Sequence, residues 1–194
     1  MRTKICGITS YKDAMTAIKA GADALGFVFY EKSPRYISPQ DAKKIIAQLP
    51  PFIEKVALFV NESATTINAF MKESGATLAQ LHFTTTPELI DALCVPYIKV
   101  TRAKSAQDIL EFADEYRLVD AYCEAYGGEG KRINIEWFDG VDCSKIILAG
   151  GLDSSNIISL KDYGFYGLDV SSGVEISHGK KDPQKVQEFI KNAQ

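Results

Sequence analysis

The chain is poor in the residues that build metal centres and disulfide frameworks. Its 194 residues include four cysteines, two histidines and one tryptophan. Cys6, Cys94, Cys123 and Cys143 form no Cys-x-x-Cys pair, and His82 and His178 stand apart from them. Metal-ligand spacing is therefore lacking. Free thiols in a reducing, cytoplasmic compartment fit this usage. No run of lysine or arginine stands out against a net charge of −3, which argues against nucleic acid or an anionic membrane as partner. No apolar stretch approaches the ~18 residues that span a bilayer. The opening Met-Arg-Thr-Lys-Ile-Cys lacks the apolar run of a signal peptide. Low-complexity segments and linkers are missing too, so one domain over residues 1–194 is expected.

What is present is alternation. Short apolar runs rich in Val, Ile, Leu and Phe occur at 3–6, 24–30, 55–60, 77–82, 96–100, 118–122, 145–149 and 166–170. They read as buried parallel strands. Between them lie helix-like segments at 11–20, 64–74, 105–116 and 153–161, one opening at Ser38-Pro39, and a last one from Asp182-Pro183 to the C-terminus. Eight strand-then-helix units can be counted, the sixth and eighth irregular. That count predicts a closed parallel (β/α)8 TIM barrel with minimal loops, since ~250 residues are typical of the fold. The alternative, a doubly wound sheet, would call for Gly-x-Gly-x-x-Gly after the first strand. Cys6-Gly7-Ile8-Thr9 stands there instead.

In such a barrel the C-terminal ends of the strands form the mouth, where chemistry concentrates. Cys6 ends the first strand, and a nearby helix N-terminus would favour its thiolate. It could equally be a buried, inert thiol. Asp120 and Asp169 close the sixth and eighth strands, where a carboxylate needs a task or a partner, though either could simply brace a loop. Arg35 follows the second strand and could grip a carboxylate bidentately or be solvated surface. His82 ends the fourth strand and faces the mouth, as a ligand contact or a structural imidazole. Glycine loops end strands seven and eight, at Gly150-Gly151 and Ser171-Ser172-Gly173. In this fold that pair of positions cradles phosphate through backbone N–H groups, unless both are only tight turns. The stretch Tyr126-Gly127-Gly128-Glu129-Gly130-Lys131 reads as a lid or a plain connector.

The strings Lys4-Ile5-Cys6-Gly7-Ile8-Thr9, Gly26-Phe27-Val28-Phe29-Tyr30 and Ser33-Pro34-Arg35-Tyr36-Ile37-Ser38 resemble the phosphoribosylanthranilate isomerase family. So do Leu58-Phe59-Val60-Asn61, Gln80-Leu81-His82, Gly150-Gly151-Leu152, Asp169-Val170-Ser171-Ser172-Gly173-Val174-Glu175 and Gly179-Lys180-Lys181-Asp182. They fall in order along nearly the whole chain. The resemblance implies an Amadori rearrangement of N-(5-phosphoribosyl)anthranilate in tryptophan biosynthesis, without cofactor or metal. A monomer or homodimer is expected. The resemblance also implies Cys6 as general base, Asp120 as general acid, Arg35 on the anthranilate carboxylate, and phosphate on the loops of strands seven and eight. His82 and Asp169 are expected to contact the substrate. A neighbouring phosphate barrel such as indole-glycerol-phosphate synthase would want a lysine general acid, and these motifs do not match it. A catalytically dead phosphoribosyl-binding barrel would not need both Cys6 and Asp120.

Overall fold

A computed structural model of the chain describes residues 1–121 and 132–194. The expected lid and Cys123 lie outside the described residues. Eight strands close a barrel: β1 (Arg2–Ile5), β2 (Ala24–Val28), β3 (Glu54–Phe59), β4 (Leu78–Leu81), β5 (Tyr97–Ala103), β6 (Arg117–Ala121), β7 (Ile146–Leu148) and β8 (Gly167–Val170). Every pairing is parallel, and β8 returns to β1 with Lys4 opposite Asp169. Each of the eight apolar runs thus carries a strand, and the predicted barrel is the observed one.

Strand residues alternate between the barrel interior and the surrounding helices. Ile5, Leu25, Phe27, Ala57 and Phe59 belong to the large outer core, with Ala14, Ala17, Ile67 and Met71 of the helices. The interior carries its own small clusters, Cys6–Val28–Leu58–Val60 and Val100–Leu118–Ala149. Polar side chains share this interior phase. They are Lys4, Gln80, His82, Asp120 and Asp169, all buried.

The helices start on side-chain caps. Ser10 caps α1 (Tyr11–Ala20), Ser38 caps α2 (Pro39–Ile46), Ser63 caps α3 (Ala64–Ser74), Thr86 caps α4 (Pro87–Asp91) and Asp182 caps α5 (Pro183–Ala193). In each, the cap oxygen accepts a backbone N–H of the first turn, leaving one fewer orphan donor.

Two expected helices are absent. In 105–116 only a 3-10 turn forms, at Asp108–Leu110. The Asp108 carboxylate accepts from the N–H groups of Lys104 and Ser105, and Phe112 turns left-handed at φ 56°. The buried Arg117 guanidinium takes the carbonyls of Ile109, Ala113 and Glu115, some of the acceptors a helix would use. In 153–161, Asp153 accepts from Ser155 and Asn156, so local side-chain bonds replace the first helical turns. A 3-10 helix begins only at Ile158–Tyr163. The sixth unit holds a 3-10 turn at Ile135–Phe138. In the eighth, a small antiparallel hairpin, β9 (Glu175–Ser177) with β10 (Lys180–Lys181), intervenes before α5.

Candidate active site

Cys6 follows β1 directly and is buried. Its N–H donates to the Val170 carbonyl at 2.8 Å, and its own carbonyl accepts from Ser171 Oγ at 3.1 Å. The thiol is therefore fixed at the seam between β1 and β8. The expected help from a helix N-terminus does not materialise, because α1 opens only at Tyr11. Burial pushes the thiol above its ordinary value, and the ammonium groups of Lys4 and Lys181 work against that push.

Asp120 lies across the mouth on β6. Burial, reinforced by the neighbouring Asp169 carboxylate, raises its carboxyl to about 7. The Ala121 N–H, Arg102 and Lys4 restrain the rise. Gly150 leaves the room it occupies, since a β-carbon there would stand 2.7 Å from Asp120 Oδ1. His82 Nε2 is 3.6 Å from Asp120 Oδ2, beyond a good hydrogen bond. Neither ring nitrogen of His82 has a hydrogen-bond partner among the described residues. Burial drives this imidazole down to about 3, with Arg102 and Lys4 adding to the effect. His82 is thus neutral at any working pH, with one N–H donor and one acceptor to offer.

Asp169 accepts from Lys4 Nζ at 2.9 Å. Arg35 is buried rather than solvated. Its Nε and Nη2 donate to Glu175 Oε1 and Oε2 at 2.9 and 2.7 Å. The fork expected to meet a ligand carboxylate is turned on the protein's own carboxylate, leaving Nη1 outside those bonds. Lys181 Nζ joins the cluster, 2.8 Å from Glu175 Oε1. Burial alone would raise the Glu175 carboxyl, but Arg35 and Lys181 hold it below its ordinary range.

The loops of strands seven and eight meet. Gly150 and Gly151 sit at φ 91° and 62°, in the left-handed region that suits glycine. A β-carbon on Gly173 would overlap the Leu152 carbonyl oxygen. Among the described residues, the N–H groups of Gly151, Ser172 and Gly173 make no hydrogen bond. Ser171 spends its hydroxyl on the Cys6 carbonyl. The result is a cradle of unspent backbone donors beside the thiol, suited to an anion.

The predicted residues therefore gather at one end of the barrel. Lys4, Glu175 and Lys181 are additions to that set. Lys4 was legible from its spacing, two residues before Cys6 on one strand. Glu175 and Lys181 are brought in by the β9–β10 hairpin, which has no strong sequence signal.

Residues 3–192 match the family model described as N-(5'phosphoribosyl)anthranilate (PRA) isomerase. An N-(5'-phosphoribosyl)anthranilate isomerase from Sulfurovum sp. is 62% identical over 193 residues, covering 100% of this chain and 98% of the relative. The crystal structure of phosphoribosyl anthranilate isomerase from Thermotoga maritima superposes with a TM-score of 0.92 at 38% identity, covering 100% and 98% of the two chains. A phosphoribosyl anthranilate isomerase in complex with reduced 1-(o-carboxyphenylamino)-1-deoxyribulose 5-phosphate gives a TM-score of 0.84 at 37% identity, covering 100% and 98%.

Proposed function

From the premise that this chain belongs to the N-(5'-phosphoribosyl)anthranilate isomerase family and is an isomerase of tryptophan biosynthesis, we propose that Asp120 and Cys6 divide the proton transfers of its Amadori rearrangement. The protonated Asp120 carboxyl gives its proton to the furanose ring oxygen. The ring C–O bond breaks, and the aniline nitrogen's lone pair forms the C=N bond of a cationic Schiff base. That cation acidifies C2, and the Cys6 thiolate removes the C2 proton. The resulting enolamine tautomerises to the aminoketose, 1-(2-carboxyphenylamino)-1-deoxyribulose 5-phosphate. Atoms are conserved, and no oxidant or reductant takes part.

The observation that carries this reading is the burial of the Asp120 carboxyl and the Cys6 thiol on facing strands of the mouth, burial raising the carboxyl to about 7. An unperturbed aspartate near ~3.9 would be ionised at neutral pH and a poor acid. The phosphate binds the Gly150-Gly151 and Ser171-Ser172-Gly173 loops. The anthranilate carboxylate is met by Arg35 through Nη1, the rest of the guanidinium being braced by Glu175. His82 contacts the substrate as a neutral donor, and Asp169 acts through Lys4.

We read the chain as working as a monomer or a homodimer. We read the whole chain as one catalytic barrel working in the cytoplasm. Among the described residues no helix is long and apolar enough to cross a membrane. The test is turnover of N-(5'-phosphoribosyl)anthranilate, followed by loss of its fluorescence. The purified chain should consume it; no consumption above the uncatalysed rate would refute the reading.

A further inference from the structure

The floor of the mouth holds a charge pair that the two proton transfers leave without a task. Lys4 precedes Cys6 by two residues, so both side chains enter the barrel interior. In register across the β1–β8 seam lies Asp169. Lys4 Nζ sits 2.9 Å from Asp169 Oδ1, with side-chain exposures of 8% and 9%. Gly26 on β2 keeps the space for this arrangement. A β-carbon there would stand 2.7 Å from Cys6 Sγ and 3.1 Å from Lys4 Cε. The thiol and the lysine stem therefore converge on the gap that one glycine leaves. A buried ion pair is no gain over packed apolar side chains of similar volume, so stability alone gives little reason for a lysine at this depth.

We propose that Lys4 is a positioning residue of the reaction, held by Asp169 so that its ammonium supplies the counter-charge to the Cys6 thiolate. The proposal rests on the reading of Cys6 as the base. The charged groups about the thiol are Lys4 on β1, Asp169 on β8 and Lys181 on β10. Asp120 on β6, His82 after β4 and Arg102 on β5 face them across the mouth. Lys181 is itself tied to Glu175 and to the Ser171 carbonyl. Burial raises the thiol most, Lys4 is the largest counterweight, and Asp169 pushes the thiol up again. Burial opposes the charge on Lys4 as well, yet Asp169 and Cys6 outweigh it and keep the amine above its ordinary value. The two members of the pair thus act on Cys6 with opposite sign, the cation more strongly than the anion.

The test is the pH dependence of Cys6 alkylation by iodoacetamide on the full chain, read on the Cys6 peptide by mass spectrometry. Below the thiol pKa the rate follows the thiolate fraction, so a one-unit rise slows it about tenfold at fixed pH. Lys4→Met should move the profile up by at least about one unit and lower kcat by about tenfold or more, with KM within about threefold. Lys4→Arg should restore much of the loss, and Asp169→Asn should move the profile down. Should Lys4→Met fail to fold with Asp169 stranded, Lys4→Met/Asp169→Asn removes both charges and should still titrate above wild type. A profile that superimposes on wild type in either folded variant overturns the proposal. Cys6→Ala separates the two readings. Wild-type turnover in that variant would sink the base assignment and Lys4 with it. An inactive Cys6→Ala beside an unmoved Lys4→Met profile would sink the Lys4 role alone.

Discussion

At the scale of single residues, the site is a set of protonation states imposed by burial. Asp120 binds its proton more tightly in the folded chain, near 7, than in the unfolded one, near ~3.9. The folded state therefore holds more protons between those values, and stability falls as pH rises through that window. Above it the ionised carboxylate is a standing cost of the fold. Asp120→Asn removes that cost, so at pH 8 the variant should melt higher than wild type, by about 2–5 °C. At pH 4 the gap should close; thermal scans at both values check it. His82 has the opposite linkage. Its folded value near 3 lies below the unfolded ~6.5, so its contribution is present above the latter and lost as pH falls. Arg35 shows where reading residues one at a time fails. Its position at the mouth was legible, but its partner Glu175 lies 140 residues away, and a contact of that separation is fixed only by barrel closure.

At the scale of elements, all eight strands could be read from short Val/Ile/Leu/Phe runs, because a parallel strand buried on both faces has little other way to be written. The helices were legible where a side-chain cap opens an amphipathic run, as at Ser10, Ser38, Ser63 and Asp182. They were not legible where tertiary contacts take the backbone groups, as Arg117 does over 105–116. The two glycine loops were legible as close turns after β7 and β8, the place proposed for the phosphate. Their mutual contact was not, because it depends on how β7 and β8 are staggered. That contact gives an element-scale prediction. Gly173→Ala cannot keep its β-carbon where the Leu152 carbonyl lies, so the two loops must separate. KM should rise by about tenfold or more while kcat changes less, since uniform phosphate binding is what is lost. Steady-state kinetics decide it, and an unchanged KM in the folded variant would place the phosphate elsewhere.

At the scale of the whole molecule, the barrel separates chemistry from support. The mouth carries Cys6, Asp120, His82 and the anion cradle. The opposite end opens into a cavity of about 660 Å³, lined by Val56, Leu78, Ile98, Leu118 and Ile147, with Phe52 fully exposed at its rim. Polar and charged side chains, Lys4 and Gln80 among them, share that lining, but Phe52 stands at its exposed rim, at the end away from the mouth, so Phe52→Ser should leave kcat/KM within about twofold of wild type. The central claim concerns the mouth, and kcat measured beside KM for Cys6→Ala and Asp120→Asn tests it most directly. Each variant should turn over N-(5'-phosphoribosyl)anthranilate at least ~10²-fold more slowly than wild type, with KM little changed, because a positioned acid or base is missing while the binding groups remain. Near wild-type turnover in either folded variant would contradict the division of proton transfers between Cys6 and Asp120.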